Sequence, residues 1–142
     1  MKRVVITLWV LVAVLAAAAY ADYLRSKRED NVAWADEVTG GNRSAAPLLM
    51  ARNGCGGCHT IPGVPGATGT TGPALSGLAQ RGYIAGSFRN SPDQLVNWIR
   101  HARDMKPGTA MPNTNVSEQD ARDIAAFLYD PCRSGLLTGK CL

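Results

Sequence analysis

Five consecutive residues concentrate the chemistry of this chain: Cys55, Gly56, Gly57, Cys58 and His59. Two thiols with two residues between them, and an imidazole directly after the second, suit a short menu of chemistries. A redox dithiol of this spacing belongs after a strand in a βαβ setting, whereas the residues before Cys55 read as a helix. A zinc site needs a fourth ligand, and Cys132, Cys141 and His101 lack metal-type spacing for that role. A disulfide between cysteines so close in the chain is strained by its own geometry. Covalent attachment of one c-type haem fits best. Cys55 and Cys58 reach the two vinyl groups of a porphyrin as thioethers, and His59 is held under the ring with its imidazole at the iron. Gly56 and Gly57 let the backbone lie close to the macrocycle.

Such a site needs elements to position it, and the chain has room for one set. Its 142 residues suffice for one domain and are too few for two ordinary ones. With 46% hydrophobic and 18% charged residues it is not a disordered polypeptide, and its 15 glycines and 8 prolines follow no period. A first short helix is expected over 45–53, with Pro47 near its start and Gly54 at its end. Residues 55–91 are loop-dominated and glycine-rich. A loop of that length is unusual in a compact domain unless the chain wraps something other than protein. A second helix starts at Ser91, with Pro92 at its first position and Gln94 completing a capping box. Its apolar face is Leu95, Trp98, Ile99 and Ala102. After a Pro/Gly-rich loop over 106–113, Ser117 and Asp120 cap a last helix with the stripe Ala121, Ile124, Ala125 and Leu128. No segment alternates with period two, so the expected fold class is all-α.

The apolar residues are unevenly spread. Met1, Lys2 and Arg3 precede an almost unbroken apolar run over 4–21, about 27 Å long as a helix. Two readings stand open: a signal sequence cleaved after Ala19-Tyr20-Ala21, or an uncleaved membrane anchor continuing into a charged, helix-compatible segment. Either places everything from Asp22 onward outside the cytoplasm. The expected organisation is anchor or signal peptide over 1–21, polar stalk over 22–40, haem domain over 41–131 and tail over 132–142, with a break at Thr39-Gly40-Gly41-Asn42. The formal charge of +4 includes Lys2 and Arg3, and no basic stripe interleaves with aromatics, which excludes a nucleic-acid partner.

Over residues 42–130 the sequence resembles a monohaem class I cytochrome c. It is similar in particular to the cytochrome domains found near or fused to subunit II of bacterial haem-copper oxidases. The matching residues are Cys55-Gly-Gly-Cys-His59, Gly72-Pro73-Ala74-Leu75, Lys106-Pro-Gly-Thr-Ala-Met111-Pro112-Asn113 and the helix 117–129. The resemblance implies a small class I fold around one covalent haem c. It makes Met111 the sixth iron ligand, since a thioether opposite imidazole stabilises reduced iron. Met105, at a helix end, is the rival and reads as packing; Met50 reads as core and His101 as solvated. Pro73 resembles the residue whose C=O accepts a hydrogen bond from the proximal histidine. Leu75, Leu95, Trp98 and Leu128 are candidates to cover the haem, and Arg81, Tyr83 and Asn113 to reach its propionates or the ligand sulfur. Cys132 and Cys141, in a tail that departs from the family pattern, are expected to form one disulfide in an oxidising compartment.

The implied function is one-electron transfer with no small-molecule substrate on iron and no enzyme chemistry of its own. The expected partners are membrane respiratory complexes, such as a haem-copper oxidase or a quinol-oxidising complex. The expected place is the periplasmic side of the bacterial inner membrane, anchored by the N-terminal helix, or the periplasm itself after cleavage at Ala21. Arg81, Arg89, Arg100, Arg103 and Lys106 are candidates for a docking ring. The rival functions are a haem-bearing subunit of a periplasmic dehydrogenase or reductase, and a gas sensor with an open iron position.

Overall fold

A computed structural model of the chain describes residues 2–130. In chain order the elements are α1 (Lys2–Thr39), α2 (Ala46–Arg52), the single turn α3 (Cys55–Cys58), a 3-10 turn (Leu78–Gln80), β1 (Tyr83–Ile84), β2 (Phe88–Arg89), α4 (Pro92–Met105) and α5 (Glu118–Tyr129).

The two main helices start where their caps require. The Ser91 hydroxyl accepts from the Gln94 N–H at 3.4 Å, with Pro92 in the first turn. The Ser117 hydroxyl accepts from the Asp120 N–H at 3.0 Å, and Glu118 and Asp120 place negative charge at the helix N-terminus. The expected stripes are buried: Leu95, Trp98, Ile99 and Ala102 on α4, and Ala121, Ile124, Ala125 and Leu128 on α5. Helix α5 is the hub, lying against α1, α2, α4 and the 3-10 turn. Ala121 and Ala125, fully buried, leave no side-chain bulk between it and its neighbours.

The glycine-rich stretch holds more regular structure than its composition suggests. Beyond the turn α3 it contains a miniature antiparallel hairpin, Tyr83 opposite Arg89 and Ile84 opposite Phe88, and an isolated bridge between Thr60 and Thr68. Two-residue strands are too short for a period-two pattern to register, and the domain remains mostly helical.

Helix α1 runs unbroken from the apolar segment into the domain, about 57 Å in all. It is long and apolar enough to cross a membrane by length and composition. Its polar half is not a spacer throughout. Ala35 and Thr39 are fully buried, and the Trp34 ring lies 6.3 Å from that of Tyr129. Arg122 Nη1 donates to the Thr39 C=O at 3.0 Å, Gln119 Nε2 to the Gly40 C=O at 3.1 Å, and the Asn42 N–H to Asp123 Oδ1 at 2.8 Å. The last turn of α1 is therefore part of the domain's core.

Tyr129 links that junction to the glycine-rich stretch. Its hydroxyl donates to Asn90 Oδ1 at 2.8 Å, and Asn90 Nδ2 donates to the C=O groups of Leu78 and Arg81 at 2.7 and 2.8 Å. Burial pushes the Tyr129 phenol up to about 12 from 10.0. Because the folded value lies above the unfolded one, this contribution to stability is fully present below pH 10 and is lost as pH rises from about 10 to about 12. Tyr129→Phe is expected to lower stability at neutral pH by about 1 kcal/mol through the lost bond. It should also flatten the alkaline decline. Urea unfolding midpoints from neutral to strongly alkaline pH check both effects.

Candidate functional site

The site is assembled by a sharp change of direction between two short helices. Gly54, at φ +70°, ends the approach from α2 and begins α3. One helical turn then carries Cys55 and Cys58, three positions apart and therefore on one face. His59 leaves the turn in extended backbone, its N–H still bonded to the Cys55 C=O at 3.0 Å, which swings the ring away from the helix. Both thiols are free, Cys55 half-buried and Cys58 exposed. Burial, with a smaller contribution from nearby Cys58, pushes the Cys55 thiol above its ordinary value, against a backbone hydrogen bond that lowers it. A dithiol oxidoreductase needs the opposite, a depressed thiol.

The His59 ring is oriented by one bond. Its Nδ1 lies 2.7 Å from the Pro73 C=O, which can only accept, so Nδ1 carries the proton and Nε2 keeps its lone pair for a metal. The chain around Pro73 is laced onto the attachment turn. The Gly72 N–H donates to the Cys58 C=O at 2.7 Å, the Leu75 N–H to the Thr60 C=O at 2.9 Å and the Gly69 N–H to the Gly56 C=O at 2.9 Å. This close lacing explains Gly56 from within the chain: a Cβ there would lie 2.8 Å from the Ala67 Cα. Gly57 has open space beside it.

Arg81 holds the same loop from the other side. Its Nη2 donates to the C=O of Ala74, adjacent to Pro73, and to the C=O of Ser76 at 2.8 Å. The guanidinium thus binds the backbone of the Pro73 loop. Arg81→Ala is expected to lower stability by about 1.5–3 kcal/mol, the range for hydrogen bonds to a charged group. Urea unfolding followed at the Soret band measures the loss.

Met111 lies half-buried against the core on the loop between α4 and α5, where its N–H bonds Thr109 Oγ1 at 3.4 Å. Met105, at the end of α4, packs on the same core and Met50 is fully buried. Lys106 Nζ fastens the Met111 loop to the hairpin turn through the Ala85 C=O at 2.9 Å and Ser87 Oγ at 3.2 Å. Leu95, Trp98 and Leu128 share one core cluster, with Leu75 packed against it. Sequence periodicity misses Phe88, whose ring lies 5.8 Å from that of Trp98, because it falls in a stretch without a repeat. His101 is exposed, with Nδ1 3.7 Å from Asp104 Oδ2. Tyr83 is exposed, and the Asn113 amide is engaged with Arg103 and Asp104. Of the candidate docking ring, Arg89 and Arg103 are exposed, while Arg100 pairs with Glu118 at 3.5 Å. Cys132 and Cys141 lie outside the described residues.

The donor set fits a covalent haem: two free thiols on one face of a turn, an imidazole with Nδ1 fixed and Nε2 free, and a thioether on a separate loop. Among the described residues no three His, Cys, Asp or Glu side chains come together as metal ligands. Fold and site together define a small helical haem-carrying module. The chain belongs to the cytochrome c family: the family model described as Cytochrome c matches residues 45–130. It is also similar to a protein named Cytochrome c oxidase subunit 2 from Alkalihalophilus pseudofirmus, at 38% identity over 81 residues. That match covers 56% of this chain and 23% of the relative, so the chain corresponds to less than a quarter of that protein's length. No solved structure matches the chain.

Proposed function

We propose that this protein is a membrane-tethered monohaem cytochrome c that carries single electrons on the periplasmic face of the bacterial inner membrane to a terminal oxidase. The observation that carries the reading is the continuity of α1, a helix apolar enough to span a bilayer whose last turn is built into the haem domain. Cys55 and Cys58 would hold the haem, which when bound would supply reversible one-electron chemistry. His59, with its tautomer set by Pro73, would ligate the iron through Nε2. Met111 would supply the second protein ligand, favouring the reduced state and leaving no position for a substrate. Leu75, Leu95, Trp98 and Leu128 keep water from the ring. Tethering raises the local concentration of the carrier at integral complexes without any new contact. The exposed Arg89 and Arg103 steer a small, transient encounter, and Cys132 and Cys141 close the tail as a disulfide. The similarity to an oxidase subunit supports the oxidase as acceptor over the reading as a fixed subunit of a dehydrogenase or reductase.

The test places the full-length holoprotein in vesicles with a haem-copper oxidase, reduces it, and follows oxygen consumption against ionic strength. Turnover that falls as salt rises is expected. A protein that neither reduces the oxidase nor is reduced by a quinol-oxidising complex would sink the carrier reading. Ready binding of carbon monoxide would favour the gas sensor. The mass of the protein from membranes decides whether the chain is cut after Ala21.

A further inference from the structure

Helix α4 is broken near its C-terminal end. His101 has φ −130° and ψ 39°, outside the helical region. In an unbroken helix the Arg103 N–H would look to the C=O of Ile99. Here both groups have partners from outside the helix. The Arg103 N–H donates to Asn113 Oδ1 at 2.9 Å, and the Ile99 C=O accepts from Thr114 Oγ1 at 2.8 Å. The next carbonyl, of Arg100, accepts from the Thr114 N–H at 3.3 Å. Asn113 is fixed a second time, by Nδ2 donating to Asp104 Oδ1 at 3.1 Å. Side chains entering the backbone ladder are a recognised cause of helix kinks, and the two that enter here are neighbours in sequence.

They are also the second and third residues after Met111, with Pro112 restricting the backbone between. At the other end the loop leaves α4 through Lys106, whose N–H still bonds the Ala102 C=O at 2.9 Å. The Met111 loop therefore stands with both feet on the last turns of one helix, and the second foot is inserted into the break. We infer that Asn113 and Thr114 are positioning residues for Met111, joining the break in α4 to the Met111 loop so that the thioether is presented to the iron without being able to swing away. This rests on Met111 as the sixth ligand.

The experiment uses the full-length ferric holoprotein and added imidazole, which must displace the thioether to bind. The readouts are imidazole affinity and the far-red band of thioether-ligated ferric haem. Thr114→Val and Asn113→Ala are each expected to bind imidazole about tenfold more tightly, equivalent to about 1.4 kcal/mol. Thr114→Ser, which keeps the hydroxyl, should restore the wild-type affinity. Unchanged imidazole affinity in both variants, even with lower unfolding midpoints, overturns the inference and leaves a purely structural splice. If Thr114→Val does not fold, Asn113→Ala decides alone. Met111→Ala is the separate control. Should it retain the far-red band and the wild-type imidazole affinity, the ligand assignment itself fails and the positioning role falls with it.

Discussion

With His59 as the proposed iron ligand, Gly72→Ala is expected to push its ring out of place and convert a low-spin haem protein into a less stable, high-spin one. A Cβ on residue 72 would stand 2.4 Å from His59 Cε1, 2.7 Å from Nδ1 and 3.0 Å from Nε2, so the added methyl would lie against the ring itself. Neither partner can yield cheaply. The ring is held by the Pro73 C=O at 2.7 Å, and the Gly72 backbone by its N–H donating to the Cys58 C=O at 2.7 Å. Overpacking of a rigid contact typically costs about 1–3 kcal/mol, and the displaced His59–Pro73 bond adds about 1 kcal/mol. Haem attachment through Cys55 and Cys58 should survive, because the turn that carries them is not displaced. The absorption spectrum and urea unfolding of the purified variant check both parts. Gly82→Ala is the matched control, since its added Cβ would meet nothing within 4 Å, and it should stay within about 0.5 kcal/mol of wild type. A Gly72→Ala protein with a native spectrum and midpoint would contradict the contact.

That glycine marks where sequence reading stops. Cys55, Cys58 and His59 are legible as a unit because they are adjacent in the chain, and the chemistry follows from residue type and spacing. The caps at Ser91 and Ser117 and the stripes on α4 and α5 are legible for the same reason, since local hydrogen bonds and a 3.6-residue period are written within each segment. The contact between His59 and Pro73, fourteen residues apart, comes from family resemblance alone. The need for glycine at position 72 depends on that contact, and so has no local signal. The Asn113–Thr114 splice is hidden differently: α4 carries an uninterrupted amphipathic pattern, and its break is visible only once a second segment is seen entering it. The last turn of α1 reads as part of a polar stalk because the residues it buries, Ala35 and Thr39, are small or polar and carry little hydrophobic signal.

Gly41→Ala is expected to release that last turn. A Cβ at residue 41 would lie 2.1 Å from the Arg122 C=O oxygen, 2.3 Å from its carbon and 2.7 Å from the Asp123 nitrogen. These are backbone atoms of α5, the hub of the fold, so the chain entering from α1 must be the part that moves. Moving it breaks the bonds from Arg122 to the Thr39 C=O, from Gln119 to the Gly40 C=O and from the Asn42 N–H to Asp123, and it separates Trp34 from Tyr129. Three lost hydrogen bonds at about 1 kcal/mol each set the scale of the destabilisation at about 3 kcal/mol. Haem ligation should be untouched, because the proposed ligands His59 and Met111 make none of these bonds. The expected signature is thus a native visible spectrum, a lowered unfolding midpoint and new trypsin cleavage at Arg43, which in the wild type is tied to Asp130 at 3.3 Å and to Asp36 through its N–H. Wild-type resistance at Arg43 would show that the junction tolerates the methyl group and that the α1 contact contributes little. The prediction holds whether or not the chain is cut after Ala21, since residues 34–42 stay with the domain in either case. What differs is the consequence: on the proposed anchored reading, loosening this joint uncouples the haem domain from the helix that tethers it.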